Sequence, residues 1–358
     1  MNNFLKKLCF LKDKFEYLRL NLNHKRGLSQ VILFVLFLSG IFSILILNNF
    51  SQRVLAIAGA HWIQATASAD WSERKGHTSV VFNNKMWVIG GYKGGVGVFQ
   101  PYLNDVWYSS DGVNWTQATA SAGWNGRDGH TSIVFKNKMW VIGGGSDVWY
   151  SSDGVNWTQA TASAGWVERY DHASVVFKNK MWVIGGADSG LNVVNDVWYS
   201  TDGVNWTQAT AHAGWGERYG HTSVVFKNKM WVIGGTQYAG FCEPDFNDVW
   251  YSTDGVNWTQ ATASPGWEKR YYHTSVVFDN KMWVIGGYNS GYNDYLNDVW
   301  FSTDGANWIQ TTASAGWSKR WGHTSIVFKN KMWVIGGYNY YTEYLNDVWY
   351  SPSDIWNP

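Results

Sequence analysis

The chain has 358 residues, 18% of them aromatic, with 38 glycines and only 5 prolines, which excludes a disordered or collagen-like chain and suits many short strands joined by tight turns. Lys and Arg number 28 against 27 Asp and Glu, and with much of the basic excess in residues 1–26 the remainder offers no basic face for duplex nucleic acid. Cys9 and Cys242 flank an apolar segment and cannot pair if it spans a membrane, so no disulfide framework is expected.

Residues 1–30 carry Lys6, Lys7, Lys12, Lys14, Arg19, Lys25 and Arg26, and are read as a cytoplasmic basic segment. Val31 to Leu47 follows without a charge, long enough to cross a hydrocarbon core of roughly 30 Å. A transmembrane helix over 31–48 is therefore expected, acting as a signal anchor. The Lys/Arg excess before Val31 places the N-terminus in the cytoplasm and the rest of the chain outside. Residues 49–60 are read as a linker. Ala56-Ile57-Ala58 and Ala58-Gly59-Ala60 resemble small-residue cleavage sites, and cleavage near 58–60 would make the protein secreted instead.

From residue 61 the sequence repeats. His77, His130, His172, His221, His273 and His323 open successive units, a period that marks a repeat architecture. Each unit continues through variants of H-T-S-V-V-F, K-M-W-V-I-G-G, N-D-V-W-Y-S and D-G-V-N-W-T-Q-A-T. These pieces are rich in β-branched and aromatic residues and are separated by turn formers, so they predict four strands per unit. Tryptophans fall in columns of six, one of them Trp62, Trp115, Trp157, Trp206, Trp258 and Trp308. Because Trp62 precedes the first complete unit, His61 to Thr66 is expected to supply the outer strand of the last blade and to close the ring without a free edge. The fold class is thus all-β, a six-bladed β-propeller over 61–358.

The Gly-Gly pair ending each second strand, the Arg and His before each first strand and the aromatic-rich third strand resemble the kelch-repeat propeller family, which includes galactose-oxidase-type propellers. The S-T-D-G-V-N-W turn resembles the Asp-box of sialidases but lacks one residue between Asp and Gly. The resemblance implies the propeller fold. For function it implies one of several classes, since kelch-like propellers include protein-binding modules, lectins and a copper oxidase.

Side chains repeated at one phase in every blade, such as the Arg column at Arg74, the His column at His77 and the Asp column at Asp105, are read as structural. Residues that break the repeat are His212, Asp128, Asp171, Cys242, Glu243, Asp245, Asp294 and Glu343. They are scattered over the blades and are read as solvated loop residues, so no catalytic set, metal site or cofactor is assigned.

The segments that differ between units are the insertions after Gly-Gly and the link after each Arg. In an up-and-down blade both emerge on one face. Ligand-binding candidates there are Tyr92, Phe99, Tyr102, Tyr238, Phe241, Tyr288, Tyr292, Tyr338, Tyr340 and Tyr341 from the insertions, with Lys75, Tyr170, Tyr219, Tyr271 and Trp321 from the links. Large aromatic side chains with polar tips suit a protein surface or a sugar ring. The expected role is a membrane-anchored binding module for a protein or a glycan. The competing class is a propeller enzyme, a sialidase-like glycoside hydrolase or a galactose oxidase-like copper oxidase.

Overall fold

The computed structural model describes residues 58–94, 102–190, 192–237, 245–340 and 343–352. The segments 1–30 and 31–48 and residues 49–57 of the linker lie outside them, as do Phe99, Tyr238, Phe241, Tyr341, Cys242 and Glu243. Among the described residues no helix is long and apolar enough to cross a membrane.

The strands assemble into six four-stranded antiparallel sheets. The first blade uses Thr78–Phe82, Lys85–Tyr92, Tyr102–Ser109 and Thr116–Thr119, from the axis outward. The innermost strand of each blade neighbours that of the next, and Thr78–Phe82 neighbours Thr324–Phe328, so the ring is closed. The first two strands meet through two-residue turns in which both residues have positive φ, as at Lys136 and Asn137, the geometry of a type I′ hairpin. The turn is Lys-Asn in four blades, and Asn83-Asn84 and Asp279-Asn280 in the other two.

Second strands such as Lys85–Tyr92 are buried along nearly their whole length, because they are covered on both faces by neighbouring blades. The cores lie between blades. One brings together Val80, Phe82, Trp87 and Val106 of the first blade with Met139 and Val141 of the second. At the end of the second strand Gly90 and Gly91 take φ 59° and 106°, and the register shifts between Ile89 and Gly91. A Cβ on Gly91 would lie 2.8 Å from His77 Cβ, so the bulge needs glycine for space as well as backbone freedom.

The repeated polar columns are spent inside the fold. Arg74 donates from Nη1 and Nη2 to the two Asp105 carboxylate oxygens at 2.7 and 2.9 Å, and from Nη1 to the Gly90 carbonyl. The other five Arg columns make the same pair, with closest contacts of 2.6–2.8 Å. Each Asp also accepts from the indole of the Trp two residues on, as Asp105 does from Trp107. In every blade the guanidinium is thus committed to its aspartate and to a backbone carbonyl at the end of the second strand. In the Asp-Gly turns, Asp111 accepts from the Val113 and Asn114 amides and from Asn114 Nδ2. The same Asn amide bond recurs in the turns at Asn156, Asn205 and Asn257.

In the sixth blade the order from the axis is Thr324–Phe328, Lys331–Asn339, Glu343–Pro352 and Ile63–Thr66. Ile63 pairs with Tyr350 and Gln64 with Trp349. Gly59 N donates to Ser351 Oγ at 2.8 Å, as Gly112 N does to Ser109 Oγ within one continuous turn. Trp62 Nε1 donates to the Gly59 carbonyl, the bond that Trp157 makes to Gly154. The turn before the outer strand is thus rebuilt from the two ends of the domain, and it includes Ala58, which is 1% exposed.

Candidate ligand-binding face

The two variable segments lie side by side. The residue after each Arg pairs with the residue after Gly-Gly in Lys75 with Tyr92, Tyr170 with Ala187, Tyr219 with Thr236, Tyr271 with Tyr288 and Trp321 with Tyr338. Every described candidate of the sequence analysis stands on this face, but they do not form one uniform rim.

Around the fifth, sixth and first blades the candidates merge into an aromatic shelf. Tyr271 meets Tyr288 edge-on at 5.4 Å, Trp321 meets Tyr338 at 6.0 Å, and Tyr92 packs on Tyr102 at 5.2 Å. Tyr295 and Tyr344, from the same aromatic-rich insertions, fill the gaps. Tyr295 contacts Tyr288, Tyr338 and Tyr340, and Tyr344 contacts Tyr92 and Tyr338. Lys75 lays its ammonium 4.1 Å from the Trp321 ring centroid, a cation–π contact. The rings thus hold one another in place, while Tyr292 and Tyr340 remain 74% and 66% exposed.

The second blade has almost no insertion, and a cleft of about 520 Å³ opens there. Its walls include Tyr102, Tyr170, Tyr219 and Tyr272 with the carboxylates of Asp128, Asp171 and Asp188. Tyr219 is buried, so it is a wall rather than a rim residue. Tyr170 donates from its hydroxyl to Glu168.

Over the axis the second position after each Arg forms a belt. Gly220 N donates to the Asp171 carbonyl, Tyr272 N to Gly220, Gly322 N to Tyr272, Gly76 N to Gly322 and Asp171 N to Gly129. All six belt residues have positive φ, and only Asp171 (53°) and Tyr272 (50°) are not glycine. A bulky residue in that region costs of order 1–3 kcal/mol and persists only where its surroundings over-determine it. Here the Tyr272 hydroxyl donates to Asp171 Oδ2 at 2.7 Å, forming a bar across the mouth of the channel.

Two of the acids that break the repeat therefore lie together, whereas the sequence suggested that all were scattered. Asp128, Asp171 and Tyr272 meet at the mouth although they come from the second, third and fifth blades. Burial pushes the Asp171 carboxyl up to about 6, against the Tyr272 hydrogen bond and with the help of Asp128. Burial also raises Asp128 and lowers Lys75. A carboxyl whose folded pKa is raised gives the folded chain the extra proton, so its stabilising contribution is present at low pH and is lost as pH rises through about 6. Asp171→Asn is expected to stabilise the domain by about 1 kcal/mol at pH 8, with the gain shrinking toward pH 5.5. Melting curves at the two pH values check this, and an equal effect at both would contradict it.

The signal for Tyr272 and Asp171 is in the sequence, in a column that otherwise reads glycine at 76, 129, 220 and 322. Among the remaining repeat-breaking residues, His212 Nδ1 lies 3.3 Å from Asn195 Oδ1 on the exposed side of the interblade link. Asp245 accepts from the Ser290 amide and hydroxyl, and Asp294 pairs with Lys319. None of them converges on the channel mouth. Among the described residues no group of three His, Cys, Asp or Glu is arranged to hold a metal ion.

A family model for the KLHDC2/KLHL20/DRC7 Kelch-repeats domain matches residues 245–356, and one for the DUF6242 beta propeller domain matches residues 60–170. No curated protein matches the chain.

Proposed function

We propose that this kelch-type β-propeller is a membrane-anchored, extracytoplasmic binding module, which takes a protein partner on the face carrying the loop insertions. The observation that carries the proposal is that the sixfold repeat is broken chiefly on this face, by an aromatic shelf on one side of the axis and an acidic, tyrosine-walled cleft on the other. A partner without sixfold symmetry can be recognised only where the blades differ. Tyr and Trp held by their neighbours lose little freedom on binding. The exposed rings of Tyr292 and Tyr340 also favour a second ligand class, a glycan stacked on their faces.

Anchoring rests on the uncharged stretch Val31 to Leu47 and the Lys/Arg excess before it. Protease added to intact cells is expected to digest or release the propeller. Full protection, with the purified protein shown to be cleavable under the same conditions, would contradict the topology. A mature N-terminus near residue 59 or 61 would show a secreted protein instead.

Function is tested by screening the full chain against surface-protein and glycan arrays. Saturable binding to one class is expected. Turnover of an oxidase or glycosidase substrate that depends on His212 or Cys242 would establish an enzyme instead.

A further inference from the structure

Below the bar of Asp171 and Tyr272 the channel wall is a repeated relay, and one blade interrupts it. In five of six interfaces the threonine that follows the column histidine bonds both to the next blade's His Nε2 and to a serine hydroxyl of that blade. Thr78 lies 3.1 Å from His130 Nε2 and 2.6 Å from Ser132 Oγ. Thr131, Thr222, Thr274 and Thr324 repeat this toward His172, His273, His323 and His77. The third blade has Ala173 at this position. Across that interface the buried His221 Nε2 and Ser223 Oγ have no hydroxyl partner among the described residues, and His221 is left with the backbone of Ile184.

His221 is 5% exposed and lines two stacked spaces on the axis, one of about 120 Å³ above and one of about 200 Å³ below. Ala173 and Ser223 line the lower one. Buried polar atoms without partners are rare and call for a cause, and space of this size far exceeds the roughly 10–15 Å³ that a single water needs. The atoms that Ala173 lacks, compared with threonine, are one methyl and one hydroxyl.

We propose that this niche binds the hydroxymethyl group of a small polyol of glycerol size, which restores the two hydrogen bonds made by threonine in the other blades. A hydroxyl both donates and accepts, so it satisfies His221 Nε2 and Ser223 Oγ together, whichever ring nitrogen carries the proton. The carbon beside it occupies the space left by the missing methyl. The site lies in the channel wall and does not depend on the loop face.

The test uses the full chain with ¹⁵N-labelled histidine. Titration with ethylene glycol or glycerol is expected to move the His221 Nε2 resonance saturably toward those of the other five channel histidines, while sucrose, too large for the niche, leaves it in place. Ala173→Thr is expected to move that resonance without any polyol and to abolish the response. Ser223→Ala, which removes one of the two partners without adding bulk, is expected to weaken binding at least tenfold and keeps the test open if the threonine variant does not fold. A His221 resonance that already matches the others and does not move, showing water alone in the niche, would overturn the proposal. So would an undiminished response in Ala173→Thr or Ser223→Ala.

Discussion

Acidification is expected to unfold the propeller before most of its carboxylates titrate. Each of the six column histidines is 3–5% exposed. Burial is the main cause of their lowered pKa values, and the arginine guanidinium of the same link adds to it. His130, His221 and His323 are brought down to about 3, and His77, His172 and His273 lie well below their ordinary value. A group whose folded pKa is lowered binds fewer protons in the folded chain, so stability is intact above the unfolded value of about 6.5 and is lost as pH falls below it. All six oppose folding in the same direction once pH falls well below about 6.5, and a domain's usual stability of about 5–15 kcal/mol leaves little to offset that many buried groups. Tryptophan fluorescence and circular dichroism followed from pH 7 to pH 4 should show one cooperative loss with a midpoint above about pH 4.5. Native signals persisting at pH 4 would show that these histidines are not buried as neutral groups.

Breaking the seam of the sixth blade should be the most damaging local change. Trp62 is 6% exposed and meets Trp317 edge-on at 5.8 Å. Trp62→Ala is expected to cost about 3–5 kcal/mol, as aromatic truncation in a core does. Deleting residues 58–66 should cost more, since it also exposes the edge of Glu343–Pro352. Gly59→Ala tests the rebuilt turn separately, because a Cβ there would lie 2.5 Å from the Trp283 ring at φ 78°. The neighbouring Ile63→Ala is expected to change little, since Ile63 is an exposed side chain on the outer strand. Denaturant midpoints compare the four, and an unaltered midpoint for the deletion would mean that the ring does not depend on this strand.

The blades were legible because each position is dictated by the same local physics six times. Strand alternation, the Trp columns and the glycine pairs all repeat, and six copies average out the ambiguity of any one. The face of the variable loops followed from counting strands in an up-and-down blade. The site at the axis was not legible in the same way. Asp128, Asp171 and Tyr272 belong to three blades, and only closure of the ring carries them to one mouth. Looking for polar residues outside the repeat found the two acids but passed over Tyr272 and Ala173. Their meaning lies in what they replace, a glycine held at positive φ and a threonine that bonds two neighbours. The tyrosines also proved more committed than their number suggests, since most of the shelf packs on itself and, among its described residues, Tyr292 and Tyr340 are the most exposed.

The location of the binding face is tested most directly by comparing two multiple variants against the ligand found by array screening. One replaces Tyr288, Tyr292, Tyr340 and Trp321 with Ala, and the other replaces Val113, Val155, Val204 and Val256, exposed in the Asp-Gly turns of the opposite face, with Ser. Both should keep a cooperative melting transition. The aromatic variant is expected to lose at least tenfold in affinity, and the turn variant to bind like the parent. Unchanged affinity in the folded aromatic variant, or a loss confined to the turn variant, would contradict recognition through the loop face.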